Sequence, residues 1–216
     1  MNDNRLGGAA LIVASLSSLL VMLHHPTGHD LLSPGGQAAA VHRNVVVHGM
    51  ALAAVPLMLL GTLALTQRLR APNRLAVMAF VTYAFASAAV TCAAVMSGLV
   101  APRAVGAILE SGEGPNGAWH MMLRYTAWLN RGFAQVFVVA SAVAILLWAL
   151  AILRGRGLAL WAGWLGIVVC LLVLAVAFSG HMWDSIHVFG LVVLAEAVWF
   201  VAVGVLLWAA APAATT

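Results

Sequence analysis

Residues 158–178 read LALWAGWLGIVVCLLVLAVAF, an unbroken run with no charged side chain. An α-helix rises about 1.5 Å per residue, so roughly 20 apolar residues cross the hydrocarbon of a bilayer. Working outward from this run, five more segments meet the same requirement: Leu6–Leu23, Asn44–Thr66, Leu75–Val100, Gly132–Leu153 and Ile186–Trp208. The expected fold is an all-α integral membrane protein, a single domain over residues 1–216. It is a bundle of six transmembrane helices with a small cap of loops on one side. The first segment resembles a signal peptide in position, but its apolar run is long and no A-x-A-like site precedes His24, so it reads as a retained helix.

Composition agrees. The chain is 64% hydrophobic and 7% charged, against about 25% charged in soluble domains. That is too little polar surface to cover a water-soluble globule. The net charge of +4 comes entirely from arginines, because the sequence has no lysine. These arginines stand at helix ends, where they set topology and meet lipid headgroups, so no nucleic-acid partner is expected. Cys92 and Cys170 fall inside apolar runs without CxxC spacing. They read as packing residues rather than a disulfide pair.

Arginine placement orients the chain. Arg5, Arg68, Arg70, Arg74, Arg154 and Arg156 share one side with Asp3. Positive residues favour the cytoplasmic face, so both termini are expected inside an inner (cytoplasmic) membrane. Trp119, Trp128 and Trp183 then flank the outer interface, and Trp148, Trp161, Trp164 and Trp208 the inner one. Residues 101–118 contain SGEGPNG and read as a flexible connection. The following stretch, Trp119–Arg131, reads either as an interfacial helix or as an outward extension of the fourth span.

With that threading, all eight histidines fall on the outer side: His24, His25, His29, His42, His48, His120, His181 and His187. Histidine is the common metal ligand and titrates near neutral pH, so the clustering points to a site there. In His181-Met-Trp-Asp184-Ser-Ile-His187, Asp184 lies one helical turn from each histidine, about 60° around the axis. It is placed to co-ligate a metal or to orient a ligating imidazole. His42 and His48 repeat the spacing of six. If the second and last helices were neighbours, His48 and His187 would face each other, an arrangement suited to haem b, with Arg43, Arg124 or Arg131 near its propionates. The same side chains would equally serve a Zn, Cu, Ni or Fe ion.

His24 and His25 are followed by Pro26, which ends the first helix. The string HPTGHD over residues 25–30 resembles the HPxxGxDH motif of nickel/cobalt permeases of the hydrogenase and urease accessory type. The spacing of its last residues differs, and a Gly/Pro-rich stretch follows in place of a helix. The resemblance covers six residues, and the loop bearing His24, His25 and His29 is expected to stand near the metal site.

Glu196 stands near the middle of the last span, where a carboxyl is costly and often functional. Gln135, Tyr83, Thr82 and Ser141 are its candidate hydrogen-bond partners. No GxSxG, P-loop, GxGxxG, HExxH or CxxCH occurs. The leading expectation is a metal or haem site with a redox or metal-handling role. The alternatives are a small transporter coupled to protons or cations through Glu196, and a scaffold or assembly subunit with a membrane-protein partner or a second copy. In that last case the histidines only decorate an interface.

Overall fold

The computed structural model describes residues 3–26, 37–69, 74–155, 158–180 and 186–210. Every element among them is helical. They are α1 (Asp3–Leu23), α2 (Gln37–Leu69), α3 (Arg74–Val95), a π-helical turn (Met96–Val100), α4 (Ala101–Ser111), α5 (Ala118–Gly155), α6 (Leu160–Phe178) and α7 (Ile186–Ala209). Six helical segments are long and apolar enough to cross a membrane. The expected six-helix membrane bundle is therefore present, and its environment is a lipid bilayer.

The spanning helices close into a ring in chain order. Each of α1, α2, α3, α5, α6 and α7 packs on the next, and α7 returns to α1. The helix ends that bear His24, His48 and His187 lie at one end of this bundle, and those that bear Arg68 and Arg154 at the other.

Three segments exceed their expected bounds, α2 by beginning at Gln37 and two others by more. The helix running from Arg74 through the π turn to Ser111 has 38 residues, as does α5; at about 1.5 Å per residue each is about 57 Å long, well beyond a hydrocarbon core of about 30 Å. The surplus forms the cap at the histidine end. The expectation of a flexible connection from residue 101 is corrected: α4 is a regular helix with Ala101, Ala104, Val105 and Ile108 buried on one stripe. Gly112, in the left-handed region at φ 62°, ends it. Trp119–Arg131 is the extension of the fourth span. Its start is fixed by Glu113, whose Oε1 accepts the backbone N–H of His120 at 3.0 Å, a carboxylate on the positive end of a helix.

At the arginine end the helices touch through glycine. A Cβ on Gly8 would strike the backbone of Gly204 and Trp208, and one on Gly61 would strike Leu11 and the carbonyl of Gly7. Small residues let helix backbones approach closely, which is how membrane helices associate where lipid removes the hydrophobic drive. Above this clamp lies an aromatic cluster. Trp148 contacts Tyr83, Trp199 and Phe200 at centroid separations of 5.6, 6.2 and 6.3 Å. The placement of Trp148 at an interface is thus corrected: it is fully buried. Its indole donates to Thr66 Oγ1 at 3.1 Å, and Trp199 donates to the Ala162 carbonyl at 2.9 Å. Both N–H groups are satisfied inside the bundle. Trp161, Trp164 and Trp208 remain exposed on the bundle surface.

Candidate functional site

The structure sorts the histidines. His48 is buried at 5% exposure, whereas His42 and His187 are exposed. His48 meets His25, not His187: the two rings stand edge to face with centroids 4.8 Å apart. His29, His181 and Asp184 lie outside the described residues.

His48 is held by a chain of backbone chemistry that begins at Pro102. At the end of the π turn the Ala101 N–H bonds five residues back, to the Met96 carbonyl. The next donor in that register is Pro102, which has no N–H, so the Ser97 carbonyl is left without its ladder partner. The Asn44 side-chain amide takes that place, donating to the Ser97 carbonyl at 2.7 Å. Asn44's own carbonyl in turn accepts from His48 Nδ1 at 2.8 Å. Gly98 completes the cradle, because a Cβ there would overlap the Cβ and Cγ of His48. π turns inside α-helices are frequent at functional sites.

These contacts fix a tautomer. A carbonyl only accepts, so His48 Nδ1 carries the hydrogen and Nε2 carries the lone pair. His25 is set in the same way, with Nδ1 donating to the Pro26 carbonyl at 2.8 Å. Neither ring has a proton left to give the other. Burial also pushes the His25 imidazole below its ordinary pKa of 6.5, only partly opposed by the bond to Pro26.

Both rings line a cavity of about 310 Å³ between five of the spanning helices. Asn130 and Arg131 from α5 stand beside them at the histidine end. The last helix contributes Ile186, Phe189 and Val193 to the wall. His187 is not among the lining residues. Further in, α3 offers Tyr83 and Ser87, and small residues such as Ala51, Ala54, Ala93 and Ala134 leave the space open.

His24 and His42 occupy a different place, a shallow groove between α1 and α2 shared with Arg43 and Met50. His24 Nδ1 donates to the Leu20 carbonyl at 3.0 Å. Arg124 points to the Pro115 carbonyl at 3.5 Å, and it does not line the cavity. His120 lies 3.6 Å from Glu113 in the cap. Among the described residues, no three of His, Cys, Asp and Glu come together as a metal-binding group.

Glu196 is 5% exposed and accepts a hydrogen bond from Ser141 Oγ at 2.6 Å. Ser141 is thus the partner among the four candidates. Tyr83, which lines the cavity, is close enough to feel the Glu196 carboxyl electrostatically.

Sequence reasoning named His25 and His48 but did not pair them. The cradle of Asn44, Ser97 and Gly98 around His48 was also missed; its signal was Gly98 and Pro102, a glycine and a proline that break the regular ladder of an otherwise apolar helix. No protein-family model, curated protein or solved structure matches this chain.

Proposed function

We propose that the protein binds a transition-metal ion at the histidine end of its bundle, through His25 and His48, in a redox or metal-handling role. The supporting observation is the paired tautomers: two adjacent imidazoles each spend their N–H on a backbone carbonyl, leaving two Nε2 lone pairs beside one cavity. Ligating histidines are held in this way, their other nitrogen donating to a carbonyl or carboxylate. With metal–nitrogen bonds of about 2.0–2.1 Å, two imidazoles on one ion have ring centres roughly 5 Å apart, near the 4.8 Å observed. Direct ring contact favours an ion over haem b, which needs a flat gap between its axial ligands. Further donors are proposed from the connections bearing His29, His181 and Asp184, and His187, His42 and His24 are the outlying candidates. The arginine bias supports an orientation with this end outside the cytoplasm.

Equilibrium dialysis of tag-free protein against zinc, cobalt(II), nickel and copper tests the reading. One equivalent of at least one ion should be retained, and His25→Ala and His48→Ala should each weaken it at least tenfold. Equal retention by wild type and the double variant sinks the reading. A Soret band in the purified protein would replace the ion by haem.

The buried Glu196–Ser141 pair supports a second reading, transport coupled to protons or cations. It requires that Glu196→Gln abolish uptake in vesicles while the fold survives.

A further inference from the structure

The inner part of the cavity carries polar groups that the histidine pair does not use. Tyr83 and Ser87 sit one turn apart on α3, each 4% exposed, and both line the cavity. Among the described residues neither hydroxyl has a hydrogen-bond partner; Ser87 takes part only through its carbonyl, which accepts from Thr91. Both residues open onto the cavity and are not sealed in the packed core, so their hydroxyls are available to whatever occupies it. Tyr83 cannot swing away, because its ring is wedged against Trp148 and Phe200 at 5.6 and 5.4 Å.

The surroundings narrow what would satisfy these hydroxyls. The walls between them and the histidines are apolar, with Val55, Val90, Ala94, Phe137 and Val193. No Asp or Glu lines the cavity among the described residues. All of these residues belong to helices that cross the membrane. A volume near 310 Å³ falls in the range of small-molecule sites, about 300–1,000 Å³. An acyl chain would fill the space but offer the hydroxyls nothing. A phospholipid phosphate would be drawn to Arg131 at the opposite end. The fitting ligand is an apolar group bearing acceptor oxygens.

We propose that the floor of this cavity binds the headgroup of a lipid-soluble quinone, with Tyr83 and Ser87 donating hydrogen bonds to its carbonyl oxygen. This site stands apart from the metal reading, since it uses neither His25 nor His48.

The test uses EDTA-treated protein in detergent and decylubiquinone as the probe, with decylbenzene as a probe of equal tail that lacks the carbonyls. Equilibrium dialysis should show one saturable quinone site, with decylbenzene at least about tenfold weaker. Removing one hydrogen bond changes affinity by up to about tenfold, so Tyr83→Phe and Ser87→Ala should each weaken quinone binding several-fold and the double variant more. Each substitution deletes a single oxygen, and metal retention at His25 and His48 should stay at the wild-type level in both. A photoreactive azidoquinone should label the segment between Arg74 and Arg103. Equal binding of the two probes, wild-type quinone affinity in the double variant, or labelling confined to other segments would each overturn the proposal.

Discussion

Small residues do opposite work at the two ends of this bundle. At the arginine end, Gly7, Gly8, Gly61 and Gly204 let α1, α2 and α7 meet backbone to backbone. At the histidine end, Ala51, Ala54, Ala93 and Ala134 face one another across a cavity, and larger side chains such as Phe137 and Phe189 share its wall. A short side chain closes an interface where backbones converge and leaves a volume where neighbours keep them apart. The same composition, rich in alanine and glycine, thus builds a clamp and a chamber.

The largest expected effect is at the clamp. In Gly8→Leu the new side chain meets the backbone of Gly204 and Trp208, which has no rotamer to yield. Overpacking usually destabilises by about 1–3 kcal/mol, and a collision with backbone should exceed that, leaving little folded protein in detergent extracts. Gly49→Leu, at the histidine end, meets nothing within 4 Å and should stay within about 0.5 kcal/mol of wild type. Thermal unfolding of both variants measures the contrast. Equal losses would mean that the two ends are packed alike.

Next in size is the cradle of His48. Asn44→Leu removes the amide that satisfies the Ser97 carbonyl, and a buried unpaired carbonyl costs about 1–3 kcal/mol. The His48 bond to the residue 44 backbone survives the change, yet the π turn that holds Gly98 against the ring loses its tie. Groups that orient metal ligands are worth about 10–100-fold in metal affinity. Asn44→Leu should therefore weaken metal retention within that range and Asn44→Gln, which keeps an amide donor, less so, whereas Val46→Ala, on the outer groove, should leave it unchanged.

These contrasts show what the sequence carried. The run at 158–178 and its five companions announced the bundle, because a membrane demands long apolar helices whatever their neighbours. Arginine placement carried only an expectation of sidedness. The partner of His48 was not legible. Six residues along a helix amount to about 240° of rotation, so the shared spacing of His42 and His48 concealed that one is exposed and the other buried. Pairing His48 with His25 depends on α1 lying beside α2, and adjacency among apolar helices has little signature in composition. Trp148 misled in a similar way. Its place near a helix end matches an interfacial belt, but Thr66 offers its N–H a buried acceptor.

A smaller effect follows from the His25 imidazole. Burial holds its folded pKa below the ordinary 6.5, so the neutral form is the native one. The unfolded chain takes up a proton near pH 6.5, before the folded chain does. The stability this contributes is complete above that pH and is lost as pH falls through the lower folded value. Metal-free protein should lose thermal stability on acidification below about pH 6.5, and His25→Gln should flatten that part of the profile. An identical slope in the variant would assign the acid sensitivity elsewhere.

The smallest effect reverses a sign. Ala93 lines the chamber, whereas Ala142 is fully buried in the packed core with Val138 and Ile145. Replacing each by valine adds the same two methyl groups. In Ala142→Val they have nowhere to go, and overpacking should destabilise by about 1–3 kcal/mol. In Ala93→Val they enter the cavity, and filling such a space commonly stabilises by about 0.5–2 kcal/mol. The lower part of that range is expected, because valine is stiff about χ1 within a helix. Unfolding temperatures of the two variants should then move in opposite directions from wild type. Since Ala93→Val takes volume from the cavity, it should also weaken decylubiquinone binding. A loss of stability in Ala93→Val equal to that in Ala142→Val would mean that the chamber collapses in solution, and the distinction between clamp and chamber would fall with it.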